Sequence, residues 1–90
     1  KFAYRIISLF YEFYFVDNQD KKSILITFGA NLRQLRLAKG FTQEQLANEL
    51  GIEISQISRI ERGVINTSIT TLYAISKVLN VDLSEFFVFD

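Results

Sequence analysis

Apolar residues recur at helical spacing in several separate stretches, and polar caps or glycines bound most of them. Leu46, Ala47 and Leu50 follow Thr42, whose hydroxyl suits an N-cap, with Gln45 three residues on completing a capping box. The pattern predicts a short amphipathic helix from Gln43 to about Leu50. Gly51 can supply the positive φ that ends it. A second helix, roughly Ile54 to Arg62, turns Ile57 and Ile60 inward and stops at Gly63. Two short helices about a glycine turn make a helix-turn-helix. Before them, Thr27 can cap a helix over about Phe28 to Ala38, with Leu32 and Leu35 buried and Gly40 at its end. After them, Val64 to Thr67 reads as a loop. Ser68 caps a helix over about Ile69 to Leu79, whose apolar stripe is Leu72, Ile75, Val78 and Leu79. Asp82 and Glu85 have capping-box spacing and open a last helix, about Leu83 to Phe87.

Two stretches stand apart. Residues 1–16 hold seven of the thirteen aromatic residues. Ile6, Ile7, Phe10, Phe13 and Tyr14 would share a helix face, whereas the aromatic and β-branched enrichment favours a strand. We read the stretch as an amphipathic helix, although periodicity does not decide it. Its use is open between a surface for dimerisation or a partner and a cover for the chain's own core. Arg5 and Glu12 interrupt it and it is too short to span a bilayer, and no secretory signal pattern is present. Asp17 to Ser23 is polar and reads as a linker or turn.

Around the axis of the Ile54–Arg62 helix, at 100° per residue, Ser58, Arg59 and Arg62 fall within about 60° of Ser55, while Ile57 and Ile60 lie opposite. The outward face carries hydroxyls and guanidinium groups able to bond base edges and phosphates. An ordinary solvated face would look similar. The ordered set around it, a capped helix, a glycine turn, an apolar pair and Glu-Arg-Gly, is what separates the two.

Composition adds limits. Ninety residues allow one modest core. Ten basic and ten acidic residues give a net charge of zero, so attraction to nucleic acid must be local. Arg33, Arg36, Lys39, Arg59 and Arg62 supply it within the helical region, and Glu12, Asp17, Asp20, Asp82, Glu85 and Asp90 lie outside the motif. The absence of Cys and His removes thiolate chemistry, the commonest general base and the usual metal ligands. With no phosphate loop or convergent carboxylate pair either, the chain reads as no enzyme, with no cofactor, metal or small-molecule ligand called for.

The run Leu32-Arg33-x-Leu35-Arg36, Lys39-Gly40-Phe41-Thr42-Gln43-Glu44-x-Leu46-Ala47, Gly51, then Ile57-Ser58-x-Ile60-Glu61-Arg62-Gly63 resembles the Cro/C1-type (XRE) helix-turn-helix regulators. The resemblance covers about residues 28–87 and continues through Ser68, Leu72, Ile75, Leu79, Val81 and Phe86. The compact size is similar to restriction–modification controller proteins and small phage repressors. The resemblance implies an all-α, five-helix, lambda-repressor-like DNA-binding domain over 23–90, following a hydrophobic arm and linker over 1–22. It implies a cytoplasmic regulator, bacterial or phage, that binds double-stranded DNA as a homodimer on a palindromic operator.

Site residues follow by position. The resemblance makes Ile54, Ser55 and Arg59 base-reading candidates and Gln43 a phosphate clamp, with Gln56, Ser58, Arg62 and Asn66 as further phosphate contacts. It pairs Arg36 with Glu61 in an internal ion pair. Related regulators dimerise through the C-terminal end, which makes Leu79, Val81, Phe86, Phe87 and Phe89 interface candidates, with core packing the other role for Val81 and Phe86. Glu53 is a departure, since family members often carry Ser or Thr there. Its carboxylate suits the helix dipole. Towards DNA, it either accepts from a cytosine amino group or repels phosphate. The competing reading is a protein-interaction module, antitoxin-like or bridging, whose arm and tail bind another protein.

Overall fold

A computed structural model describes residues 18–89, and the aromatic stretch 1–16 lies outside them. Among the described residues four α-helices follow one another, α1 (Asn18–Ala38), α2 (Gln43–Leu50), α3 (Ile54–Glu61) and α4 (Ile69–Leu79), and a short 3₁₀ helix (Leu83–Phe87) comes after them. The class is all-α. The fifth element winds as a 3₁₀ helix, not as an α-helix.

The first helix corrects the expectation of a linker for residues 18–23, while Asp17 lies outside the described residues. The helix starts at Asn18, and Thr27 lies inside it, not at its cap. Polarity alone does not break a helix. This stretch has neither Pro nor Gly, Asp20 sits in the first turn where the dipole favours it, and Ile24, Leu25 and Phe28 continue the apolar stripe of Leu32. At the far end the Gly40 N–H reaches Leu37 O and the Phe41 N–H reaches Arg36 O, with Gly40 at φ 79°.

Local chemistry fixes the remaining boundaries. Thr42 Oγ1 accepts from the Gln45 N–H at 3.0 Å, and Gln45 Oε1 accepts from the Thr42 N–H at 2.9 Å. Gly51 closes α2 in the left-handed region. Ser68 Oγ accepts from the Thr71 N–H at 3.2 Å to open α4, and Asn80 closes it at φ 56°. Asn takes that conformation more readily than most residues, so the stop needs no glycine.

Phe28, Leu32, Leu46, Ala47, Ile57, Ile60, Leu72, Ile75, Leu79 and Phe86 form one core. Helix α3 packs against both α1 and α2, α4 lies against α2, and the 3₁₀ helix closes over α1 and α4. Asn31 on α1 holds that closure, because its side-chain amide donates to Phe86 O and Val88 O, each at 2.9 Å. Phe28 meets Phe86 edge-on with ring centroids 5.6 Å apart and meets Phe87 at 5.5 Å.

Candidate nucleic-acid interface

Helix α3 is divided as its periodicity predicts. Ile57 and Ile60 are sealed in the core, while Ile54, Ser55, Arg59 and Arg62 are exposed and Gln56 and Ser58 half-buried. Ser55 and Arg59 therefore share one solvent-facing side, with Ile54 exposed at its N-terminal edge. Arg62 Nε donates to Ser58 Oγ at 3.3 Å, so those two side chains act as a linked pair at the C-terminal end of the face. Asn66 is exposed in the loop after α3 and borders a cleft lined by Ile24, Leu25 and Phe28. Glu53 is the N-cap residue of α3, exposed, and its side chain makes no capping hydrogen bond. Its carboxylate is thus unspent at the N-terminal end of the helix.

What holds α3 at its angle is an ion pair sealed between helices. Arg36 Nε donates to Glu61 Oε2 at 2.5 Å and Nη2 to Glu61 Oε1 at 3.0 Å, a bidentate fork. The side chains are only 6% and 2% exposed. Arg36 Nη1 also donates to Phe41 O at 2.8 Å, which ties the same guanidinium to the turn before α2. Arg36 is consequently withdrawn from any external contact.

Two features are not readable from the sequence pattern. Gln43 Nε2 donates to Glu61 Oε1 at 3.0 Å, so one amide hydrogen of this side chain is used internally. Gly29, in the middle of α1, lies against the carbonyls that end α3, where an added Cβ would come within 2.5 Å of Glu61 O. A glycine inside a helical pattern is the one sequence signal for such an approach.

The C-terminal candidates separate. Leu79, expected at an interface, is 1% exposed and Phe86 is fully buried, so both belong to the core of a single chain. A second copy could reach them only by opening that core. Leu79 is corrected on this ground, since an apolar stripe does not announce which neighbour will cover it. Val81 is half-buried against the core. Phe87, Val88 and Phe89 are exposed, the two rings 46% and 45%, with their centroids 6.3 Å apart.

A capped helix α2, a glycine turn and a polar-faced α3 on an all-helical core define a helix-turn-helix protein. Residues 32–86 match the helix-turn-helix family model HTH_3, and the chain belongs to this family of DNA-binding transcriptional regulators, which are not enzymes. It is 43% identical over 68 residues to the control protein C.BamHI of Bacillus amyloliquefaciens, covering 71% of this chain and 84% of that one. The restriction–modification controller protein C.AhdI from Aeromonas hydrophila superposes with a TM-score of 0.67 at 38% identity, covering 70% of this chain and 96% of that one. The controller protein C.Esp1396I, a tetramer in complex with its natural 35 base-pair operator, superposes with a TM-score of 0.63 at 38% identity, over 71% of this chain and 84% of that one. Not every relative is so short, since the chain spans 52% of the length of HTH-type regulators from Sinorhizobium medicae and Rhizobium meliloti. Among the described residues no helix is long and apolar enough to cross a membrane.

Proposed function

We infer that this chain is a sequence-specific regulator that binds a palindromic operator as a homodimer, with α3 in the major groove. The observation that carries the reading is the free surface of Ile54, Ser55 and Arg59 on a helix whose other side is locked into the core. The operator complex of C.Esp1396I supports it by likeness. A twofold dimer sets two recognition helices about 34 Å apart, one turn of DNA. The exposed rings of Phe87 and Phe89 are the apolar surface offered to the second copy, with Val81 at its margin. Phe87→Ser is expected to shift the chain towards monomer in sedimentation equilibrium and to leave its helical content intact. Such a regulator works in the cytoplasm of a bacterial or phage-infected cell, on the nucleoid.

Arg59 is the strongest candidate for direct readout, as its fork can grip a guanine at O6 and N7. Ser55 can bond a base edge and Ile54 can touch a thymine methyl. Gln43, Gln56, Ser58, Arg62 and Asn66 face phosphates. Only cations release counterions, so log affinity should fall against log salt with a slope of about −2 from the two Arg62 side chains of a dimer, steeper by about 1 for each further cation that reaches a phosphate. Selecting duplexes from a random pool and titrating the best against salt tests the whole reading. Arg59→Ala is expected to lose about 1–3 kcal/mol and to flatten the preference at one base pair in each half-site. If wild type recovers no preferred duplex at low salt, the reading fails, and a protein partner becomes the better account.

Glu53 sharpens the test. Its uncapped carboxylate is free to accept from a cytosine amino group, which supports a role in readout. Glu53→Gln is expected to relax selection at a single cytosine, measured by repeating the selection with the variant. Equal tightening on all duplexes would instead mean that the carboxylate only repels phosphate.

A further inference from the structure

Gln43 is the first residue of α2, and its amide bond to Glu61 is not needed to cap that helix, because Thr42 and Gln45 already cap it reciprocally. The bond instead joins the N-terminus of α2 to the last residue of α3. Glu61 Oε1 accepts from both Gln43 Nε2 and Arg36 Nη2, each at 3.0 Å, while Oε2 accepts from Arg36 Nε. One sealed carboxylate thus holds a guanidinium from α1 and a carboxamide from α2. A carboxamide nitrogen carries two hydrogens at fixed angles in one plane. Committing one of them to Glu61 fixes the direction of the other. Gln43 is only half-buried, so its outer edge reaches solvent, at the end of α2 where the helix dipole favours an anion.

We propose that Glu61 is a positioning residue for phosphate recognition: its Oε1 pins the inner hydrogen of the Gln43 amide and thereby aims the outer one at a phosphate oxygen of bound duplex. The internal bond and the phosphate contact therefore coexist on one nitrogen. The ion pair that holds α3 against α1 is then also the mount of the backbone clamp. Pre-orienting the amide removes the entropy cost of freezing a flexible side chain when DNA arrives. The inference rests on the operator-binding reading above.

A comparison of two double variants isolates the acceptor. Arg36→Met/Glu61→Leu removes both charges and the acceptor, whereas Arg36→Met/Glu61→Gln removes both charges and keeps a carbonyl oxygen at the same place. Each is titrated, with and without Gln43→Ala, against a duplex recovered from a random pool by the wild-type chain. Gln43→Ala alone is expected to weaken binding of the dimer about a hundredfold, since each protomer loses one hydrogen bond to an anionic phosphate, with the salt slope unchanged because the lost donor is uncharged. The Leu pair should lose the same factor and then be insensitive to Gln43→Ala, and the Gln pair should keep most of the affinity. Wild-type affinity in the Leu pair, or an undiminished effect of Gln43→Ala within it, overturns the proposal. Should the Leu pair not fold, side-chain amide spectra of the wild-type chain decide. The duplex should shift the outer Gln43 proton and leave the inner one in place, and two unmoved protons overturn the proposal. Failure of the wild-type chain to bind any duplex would sink the operator reading itself, which keeps the two failures apart.

Discussion

Gly63→Ala is expected to cost about 2–5 kcal/mol, enough at its upper end to unfold much of a domain of marginal stability. Two separate penalties meet at this residue. Its φ of 73° lies in the left-handed region, where an alanine costs roughly 1–2 kcal/mol. The added Cβ would also stand 2.7 Å from Ile26 Cα and 2.8 Å from Ile26 N. Both are backbone atoms of α1, so no rotamer change relieves the contact and the helix itself must move. Overpacking of this kind typically costs 1–3 kcal/mol.

Two other glycines separate the contributions. Gly51 has φ 70° with nothing within 4 Å of an added Cβ, so Gly51→Ala should show the conformational cost alone, about 1–2 kcal/mol. At Gly29, inside α1, the left-handed penalty is absent, but an added Cβ would come within 2.5 Å of Glu61 O and 2.8 Å of Glu61 C. Gly29→Ala should therefore show the contact cost alone. Urea denaturation of the three variants measures all of this, and Gly63→Ala and Gly29→Ala are both expected to be less stable than Gly51→Ala. A Gly63→Ala chain no less stable than Gly51→Ala would mean that α1 and the loop after α3 are not packed as described.

These glycines also mark how far the sequence alone reaches. Helix α2 was legible at both ends and α4 at its start because Thr42, Gly51 and Ser68 act on their own near neighbours. The division of α3 was legible because a 100° step decides which side chains share a face. The start of α1 was not. Residues 18–23 contain the polar types that loops favour, and their helix is joined to the rest of the fold only further on, through Leu25, Phe28 and Leu32. Leu79 shows a different limit, since periodicity marks a residue as covered without saying by what. The Gln43 bond to Glu61 and the approach of Gly29 to α3 depend on where elements eighteen or more residues apart finally meet, and a glycine within a helical pattern signals a close approach without naming the neighbour.

The ion pair yields the second large effect, and most of it disappears when both partners are replaced together. Arg36→Met would leave the Glu61 carboxylate, 2% exposed, with Gln43 as its remaining side-chain partner. Glu61→Leu would leave the Arg36 guanidinium, 6% exposed, with Phe41 O alone. Each single change should cost about 3–5 kcal/mol, because an unpaired charge stays out of water. The pair itself contributes far less. Its Coulomb attraction is set against the desolvation of both ions, so Arg36→Met/Glu61→Leu should lie within about 2 kcal/mol of wild type. Part of that residue is the Phe41 carbonyl, which loses its donor. The coupling from the double-mutant cycle should therefore be several kcal/mol and favourable. It should also persist in 1 M salt, where exposed pairs are screened, since neither side chain is open to the ions. Additive single-variant losses, or a coupling that vanishes in high salt, would show that the pair is a surface contact. In that case the angle of α3, and with it the aim of Ser55 and Arg59, would have to come from hydrophobic packing by Ile57 and Ile60 alone.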